Sequence, residues 1–305
     1  MRDVAQVQGP HTEQRRHPAM ARRVSIFLLL LCSFLSAPSG AAAAGNVNVA
    51  ALQVALRAGG YYSGTVDGMN GAGTRAGVRS LERHAGLPVD GVAGPAVRRA
   101  LGRLGRHRLG SRPLHQGDVG WDVSALQFRL AWRGFPSGTF DGGFGPHLDA
   151  AVRRFQRWAG IGVDGVAGPA TLSSLRRHAI PASPLRLARP ISAPIGDGYG
   201  PRGNRFHTGL DFLAPSGAAV RAAGNGTVVF DGYNDGYGKL VVIRNAIGVS
   251  TWYAHLSRIG VRRGEPVSTG SLVGRVGMTG DATGPHLHFE VRLRGATVNP
   301  LTAIG

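Results

Sequence analysis

The sequence contains little cysteine, little lysine and little acidic charge. Its single cysteine, Cys32, excludes a framework of disulfide bonds within the chain. It has 17 Asp and Glu against 35 Lys and Arg, a formal net charge of +18, and Lys239 is the only lysine. This arginine excess suits an anionic partner such as nucleic acid, phospholipid or an acidic wall polymer. A genome with arginine-rich codon bias explains the same composition equally well.

The 48 glycines and 18 prolines show no Gly-x-y period, which excludes a collagen-like chain and favours short elements joined by tight turns. With 43% hydrophobic and 17% charged residues, the composition is that of a globular protein and excludes a disordered one. At about 100 to 200 residues per domain, 305 residues allow two or three domains.

Near the start, residues 24–35 form a mostly apolar run that is shorter than the about 20 residues a membrane-spanning helix needs. The run follows a pair of arginines and precedes a small-residue stretch. Residues 1–44 are therefore predicted to be a secretory signal peptide cleaved near Ala44, with a permanent membrane anchor as the weaker interpretation. Met20, just before the arginines, is an alternative start.

The middle of the chain contains an internal repeat. Residues 49–101 map onto residues 123–175 at a constant offset of 74 without a gap. The residues shared by the two copies are Leu52/Leu126, Gln53/Gln127, Leu56/Leu130, Gly64/Gly138, Asp67/Asp141, Gly68/Gly142, Val78/Val152, Gly86/Gly160, Asp90/Asp164, Gly94/Gly168, Pro95/Pro169 and Leu101/Leu175. This pattern indicates a duplicated module.

Each copy is predicted to be a small all-α module of three short helices. In the second copy, Val123, Leu126 and Leu130 have the spacing i, i+3, i+7 of a helix face. Asp-Gly pairs separate the predicted helices. About sixty residues can bury a small core, so each copy is expected to fold as a helical bundle.

The motifs LQ, DG, FQ, VDG and GP with a final Leu, all of which are present in the second copy, resemble the peptidoglycan-binding modules found beside bacterial wall hydrolases. The resemblance implies that residues 46–104 and 115–179 bind peptidoglycan, and a plain spacer is the alternative. The first copy departs from the pattern, because Gly77 and Glu82 stand where the second copy has Ala and Gln. Glycine inside a helix costs about 1 kcal/mol relative to alanine, so this copy is expected to be less stable or a weaker binder.

The positive charge is concentrated in the repeats. Residues 45–190 hold 19 Arg and 8 acidic residues, a net of +11, whereas residues 191–305 hold 11 basic and 7 acidic residues, a net of +4. Prolines are frequent just after the second copy, so residues 180–190 are predicted to be a stiff linker.

From residue 191 onward the pattern changes to short runs rich in β-branched residues and bounded by glycine. These runs are GTVVF at 226, KLVVI at 239, STWYA at 250, LVGRV at 272 and HLHFEV at 286. They predict a β-rich, antiparallel domain over residues 191–305.

Four histidines lie in this region, at positions 207, 255, 286 and 288. The alternation of side chains along a strand puts His286, His288 and Glu290 on one face. Asp211 follows His207 by four residues in HTGLD. Two imidazoles and one carboxylate are a ligand set of catalytic zinc, which keeps a fourth position for water. The spacing alone leaves open which of these groups bind a metal.

The whole region resembles the lysostaphin and LytM type of zinc metallopeptidase. The resemblance rests on the segments GPRGNRFHTGLDF, AAGNGTVVF, GYGKLVVI, TWYAHLS, RRGEPVSTGSLVGRVGMTGDATGPHLHFEVR and VNP. It implies one Zn²⁺ held by His207, Asp211 and His288, with His255 and His286 as catalytic histidines. Non-catalytic relatives have lost some of these five residues, and none is missing here.

The chain has no HExxH motif to supply a glutamate base. Histidine can take a proton near neutral pH, so one of His255 and His286 is predicted to be the base and the other a stabiliser of the tetrahedral intermediate, with the assignment open. Glu290 is predicted to orient a metal-bound histidine, and a ligand role is the alternative. The stretch between Arg202 and His207 is short, which predicts a small loop there.

The sequence thus predicts a zinc endopeptidase of peptidoglycan, secreted to the cell wall or periplasm, that two wall-binding modules hold at its substrate. A non-enzymatic wall-binding regulator of the same fold is the alternative. A nucleic-acid-binding protein is disfavoured because no nucleic-acid motif is found and the arginines are spread along helices. The cleaved bond and the oligomeric state stay open.

Overall fold

The computed structural model describes residues 45–179 and 181–304. The predicted signal peptide, residues 1–44, lies outside the described residues. Within the described part of the chain, no helix has both the length and the apolar character that crossing a membrane requires.

In the described residues, each repeat contains three α-helices, which confirms the prediction of two all-α modules. The helices are α1 Val47–Ala58, α2 Ala72–His84, α3 Pro95–Ala100, α4 Trp121–Trp132, α5 Pro146–Ala159 and α6 Pro169–Arg177. Three of them, α3, α5 and α6, begin at a proline, whose restricted φ suits the first turn and whose missing N–H has no partner to lose there.

Buried glutamines explain the LQ and FQ motifs, because each one holds an Asp-Gly turn. Gln156 donates from Nε2 to Asp164 Oδ1 at 2.6 Å and accepts at Oε1 from the Gly165 N–H at 2.9 Å. The same two hydrogen bonds recur at Gln53 and Gln127. In the first repeat, Glu82 accepts from the Gly91 N–H at 2.9 Å but has no N–H to donate to its turn.

The second departure of the first repeat, Gly77, has a packing reason. A Cβ at Gly77 would lie 2.9 Å from the backbone oxygen of Tyr61 and 3.3 Å from Leu56 Cδ1. Glycine therefore lets α2 approach the end of α1 closely, which offsets part of its low helix propensity.

Eleven β-strands follow in the described residues. They are β1 Gly200–Arg202, β2 Arg205–His207, β3 Leu210–Phe212, β4 Ala219–Arg221, β5 Gly226–Asn234, β6 Gly238–Arg244, β7 Val249–Ile259, β8 Pro266–Val267, β9 Leu272–Val276, β10 Leu287–Leu293 and β11 Ala296–Val298. An antiparallel sheet has the order β11-β10-β7-β6-β5-β8, with β3 paired to β10 and β9 paired to β7 and β4. β1 and β2 form a separate two-stranded hairpin. The predicted antiparallel, β-rich domain is confirmed.

Strand β10 separates the core of this domain from its polar face. Leu287, Phe289 and Val291 are fully buried in the main hydrophobic cluster. The side chains of His288 and Glu290 point to the opposite face, as the alternation along a strand requires. The core therefore fixes the strand that carries a predicted zinc ligand.

The segment predicted as a linker is anchored at its second half. Leu187 is 7% exposed and belongs to the core of the β-rich domain. Its N–H donates to Ala303 O at 2.9 Å, and the Ala188 N–H donates to Ala223 O at 2.7 Å. These contacts hold residues 187–188 against the sheet.

The repeats pack on each other and on the β-rich domain. Helix α1 packs along α4, so the two repeats form a pair. The second repeat contacts β11, where the Thr297 N–H donates to Gly134 O at 3.0 Å.

Candidate active site

Three strands bring His207, Asp211 and His288 together. His207 ends β2, Asp211 is the middle residue of β3, and the antiparallel pairing of β3 with β10 places Asp211 directly opposite His288. All three residues are buried, with 4%, 7% and 5% of their surface exposed.

The candidate ligand atoms form a tight triangle. His207 Nε2 lies 3.0 Å from both Asp211 Oδ1 and His288 Nδ1, and His288 Nδ1 lies 2.8 Å from Asp211 Oδ1. The other ring nitrogen of each histidine faces an acceptor: His207 Nδ1 is 2.7 Å from Gly198 O, and His288 Nε2 is 3.0 Å from Glu290 Oε1. When these nitrogens carry the protons, two lone pairs and one carboxylate oxygen converge on a single point.

This donor set fits a zinc ion. The circle through the three atoms has a radius of about 1.7 Å, so one point can lie at zinc's usual bond lengths of about 2.0–2.2 Å from all three. Three converging acceptors repel one another unless a cation lies among them. The three residues are the group of potential metal ligands found in the described part of the chain.

The electrostatics of the cluster also favour positive charge. Without a metal ion, burial alone would lower the pKa of His288, but hydrogen bonds and charge interactions with Asp211 and Glu290 raise it to about 9. A proton on His288 Nδ1 then takes the place of the cation, and zinc binding would release that proton and expose the lone pair. Burial alone would raise the pKa of Asp211, but the hydrogen bonds of His207 and His288 hold it far below its usual range. Asp211 is therefore ionised at neutral pH, as a zinc ligand must be.

His255 and His286 lie beside this cluster. The centroids of their two rings are 4.7 Å apart. His255 Nδ1 is 2.7 Å from Thr279 O, and His286 Nδ1 is 2.8 Å from Gly284 O. These contacts leave the Nε2 atoms for other partners, and His286 Nε2 lies 3.8 Å from Asp211 Oδ1. Burial lowers the pKa of His255 to about 4, so its imidazole is neutral at neutral pH and can accept a proton.

A backbone irregularity aims His255 at the site. His255 has a φ of 60°, in the left-handed region, and the register of β7 with its neighbours shifts around this residue. Its N–H donates to Tyr237 O at 2.8 Å. Bulges of this kind re-aim side chains next to active sites.

Glu290 is fully buried and lies at the centre of a polar network. Its Oε1 accepts hydrogen bonds from Tyr237 Oη at 2.8 Å and from Thr208 Oγ1, and its Oε2 accepts from Arg292 Nε at 2.7 Å. With these donors and His288 Nε2 around it, both carboxylate oxygens of Glu290 are occupied away from the ligand triangle. This geometry supports the predicted orienting role of Glu290 over the alternative ligand role.

The structure thus places all five predicted site residues around one point, and it adds groups that the sequence did not single out. Arg202 Nη1 donates to Asp211 Oδ2 at 3.2 Å, and Tyr237 and Thr279 support Glu290 and His255. Tyr237 lies in the segment GYGKLVVI and Arg202 in GPRGNRF, so the family resemblance of both segments was the available signal. A cleft of about 450 Å³ opens over the cluster.

Comparison with known families assigns the same regions. Residues 205–300 match the family described as "Peptidase family M23". Residues 45–101 and 120–175 each match the family described as "Putative peptidoglycan binding domain".

Individual relatives match part of the chain. The DD-carboxypeptidase/endopeptidase Mpg of Neisseria meningitidis serogroup B is 47% identical over 121 residues, which cover 39% of this chain and 28% of that protein. The peptidoglycan DD-endopeptidase ShyC of Vibrio cholerae serotype O1 is 44% identical over 98 residues, which cover 32% of this chain and 23% of that protein. The chain therefore spans about a quarter of the length of these curated relatives.

Among solved structures, the catalytic domain of lysostaphin from Staphylococcus simulans is 32% identical, and the match covers 36% of this chain and 90% of that one with a TM-score of 0.34. The family matches coincide with the ligand triangle and with the duplicated helical modules. The chain therefore contains a domain of peptidase family M23 at residues 205–300, and two peptidoglycan-binding repeats precede that domain.

Proposed function

We propose that this protein is an exported zinc endopeptidase that hydrolyses peptide bonds in the cross-links or stems of peptidoglycan. The observation that carries the proposal is the convergence of two imidazole lone pairs and one carboxylate oxygen, with two further histidines beside them. The name of the relative Mpg supports endopeptidase activity, and the name of ShyC supports endopeptidase activity on peptidoglycan. A peptidoglycan substrate also supports an extracytoplasmic location, in agreement with the predicted signal peptide.

His207, Asp211 and His288 would hold the zinc ion, whose Lewis acidity activates water and polarises a carbonyl in hydrolases of this type. His255 and His286 lie beside the cleft with Nδ1 held by backbone oxygens. One of them takes the proton of the attacking water at Nε2, and the other stabilises the negative charge of the tetrahedral intermediate. Because His255 stays neutral at neutral pH, it is able to serve as the acceptor.

The division of the five residues into ligands and catalytic groups is tested by comparing His288→Ala with His286→Ala. These residues are two positions apart, so the pair is matched for location. We expect His288→Ala to lose zinc and activity together, and His286→Ala to keep near-stoichiometric zinc while turnover of purified peptidoglycan falls by about 100-fold or more.

Metal analysis, circular dichroism and mass spectrometry of the released fragments are the measurements, and the fragments also identify the cleaved bond. If His288→Ala keeps its zinc and His286→Ala loses it, the assignment of the two residues is reversed. Full zinc and full activity in both variants contradict the enzymatic function.

We further propose that the repeats bind the wall partly through its anionic polymers. A cavity of about 520 Å³ at the junction of the two repeats is lined by Trp121, by Arg75, Arg98 and Arg108, and by one acidic residue, Asp90. An adjoining cavity of about 560 Å³ shares Arg98 and Arg108. This local excess of positive charge complements a polyanion.

The double variant Arg75→Gln/Arg108→Gln tests this surface, since both side chains are exposed. We expect it to sediment less with insoluble wall than the wild type, and we expect salt to weaken wild-type binding, because exposed charges are screened beyond about 8 Å at 0.15 M salt. The control Arg258→Gln/Arg263→Gln removes the same charge from exposed positions of the β-rich domain. Equal binding of both double variants, or unchanged binding after the anionic polymers are stripped, contradicts the proposal.

A further inference from the structure

The hairpin formed by β1 and β2 carries two side chains into the active site. His207, its last residue, is a proposed ligand, and Arg202, the last residue of β1, reaches Asp211. The hairpin is not part of the large sheet, and each of its strands has three residues. An isolated two-stranded hairpin is only marginally stable in water, so other parts of the chain must hold it in place.

Arg202 contacts the side of Asp211 that faces away from the imidazoles. Its Nη1 donates to Asp211 Oδ2 at 3.2 Å and to Asp197 Oδ2 at 2.8 Å, while Asp211 Oδ1 faces His207 and His288. The two carboxylate oxygens are thus divided between a guanidinium and the ligand triangle. This division presents one oxygen of Asp211 to the metal position and fixes its direction.

The turn of the hairpin is held by equivalent atoms of the two repeats. The Val66 N–H donates to Gly203 O at 2.8 Å, and the Phe140 N–H donates to Asn204 O at 2.7 Å. Val66 and Phe140 are related by the repeat offset of 74. Each repeat therefore donates one backbone hydrogen bond to the same turn, and the two accepting peptide groups are adjacent.

Side chains complete this contact, which we call the hairpin clamp: Val66, Phe140 and Trp132 of the repeats with Gly203, Asn204 and Phe206 of the hairpin. Phe206 is 7% exposed, and its ring lies 5.3 Å from that of Trp132 between centroids. Phe206 belongs to a hydrophobic cluster that both repeats share. Since Phe206 directly precedes His207, the clamp acts next to a proposed ligand.

We propose that Arg202 is a positioning residue for Asp211 and that the two repeats, through the hairpin clamp, hold Arg202 and His207 in the geometry that binds zinc. The inference rests on the proposed function, because it assumes that the triangle holds zinc. The repeats then have a second role besides wall binding, since they complete one side of the metal site. Loss of partners that orient metal ligands typically weakens metal affinity about 10- to 100-fold.

The role of Arg202 is tested by Arg202→Gln in the full chain, with zinc affinity measured by competition with a chelator. We expect affinity to fall about 10-fold or more, and Arg202→Lys to restore part of it, because lysine keeps the charge but not the planar fork. Arg205→Gln is the matched control, since Arg205 lies in the same hairpin, is exposed and makes no side-chain hydrogen bond or ion pair among the described residues. Equal zinc affinity of the wild type and Arg202→Gln overturns this part of the inference.

The hairpin clamp is tested by Trp132→Ala, with Phe155→Ala as control. Phe155 is buried in the separate core of the second repeat, so its truncation destabilises the repeat without touching the hairpin. We expect Trp132→Ala to weaken zinc binding and to speed trypsin cleavage after Arg202 and Arg205, and Phe155→Ala to do neither at temperatures where both variants are folded.

Three outcomes overturn the inference. If Trp132→Ala binds zinc and resists trypsin like the wild type, the clamp does not position the site. If the two variants respond equally, the effect is general loss of stability. If the wild type itself binds no zinc, the proposed function fails, and the inference fails with it. If the wild type binds zinc and the variants bind it equally well, only the inference fails.

Discussion

Each imidazole of the active site is held by a hydrogen-bond acceptor on the nitrogen that does not face the cluster. His207 and His288 present different nitrogens to the ligand triangle, Nε2 and Nδ1, because Gly198 O and Glu290 occupy the other ones. These contacts select the tautomer in which a lone pair faces the metal position. Affinity for zinc therefore depends on residues that never touch it.

Glu290→Gln isolates this effect at the residue scale. Glutamine keeps an oxygen that can accept from His288, but it removes the charge that His288 and Arg292 face in a fully buried position. We expect zinc affinity to fall about 10- to 100-fold without being abolished, in contrast to loss of the proposed ligand His288. Chelator competition measures the change, and Glu265→Gln, at an exposed glutamate, serves as the control. Complete loss of zinc from a folded Glu290→Gln variant indicates that Glu290 is itself a ligand.

At the scale of elements, the repeats show how one buried side chain stabilises a turn between two helices. Gln156 both donates to and accepts from the turn that precedes α6. Glu82, at the corresponding position before α3, makes the accepting contact alone. The two repeats therefore hold the same turn with different numbers of hydrogen bonds.

Glu82→Gln should stabilise the first repeat, since the new amide can donate to Asp90. One such hydrogen bond contributes about 0.5–1.5 kcal/mol to the free energy of unfolding. The reverse change, Gln156→Glu, should destabilise the second repeat by a similar amount or more, because it places a carboxylate against Asp164. Urea unfolding of both full-length variants measures the changes. The same sign for both substitutions is the result that contradicts this account of the motif.

At the scale of the whole molecule, hydrophobic clusters cross the boundaries between repeats and peptidase domain. One cluster combines side chains of both repeats with Phe206, and another combines the core of the second repeat with Ala296 of β11. Residues 45–304 accordingly lie in a single compact unit. We expect the repeats and the peptidase domain to unfold together in one thermal transition.

Gly134→Ala should break this cooperativity. Gly134 has a φ of +87°, and a Cβ there would lie 2.5 Å from Thr297 O across the boundary. Gly138→Ala is the matched control. Gly138 has a φ of +88°, and no atom lies within 4 Å of a Cβ added there. Alanine at this position therefore introduces the same backbone strain without the clash. Calorimetry should show two transitions for Gly134→Ala and one for Gly138→Ala. A single transition in both variants means that the boundary does not couple the domains.

Sequence by itself determined the features that depend on local pattern. Helix spacing and the offset of 74 predicted two modules of three helices, and alternation along a strand placed His288 and Glu290 on one face of β10. Side-chain period and turn chemistry are properties of a few consecutive residues, so no tertiary information was needed for them. The roles of His207, Asp211 and His288 as ligands came from family resemblance and stay predictions.

Tertiary structure alone decided the features that join distant parts of the chain. Asp211 and His288 are 77 positions apart, and their contact depends on the pairing of β3 with β10. The left-handed conformation of His255 depends on strands that flank β7, and the hairpin clamp depends on how two repeats pack against Phe206. Local propensity cannot predict such long-range contacts, because they stabilise the chain only when the separate elements are packed together.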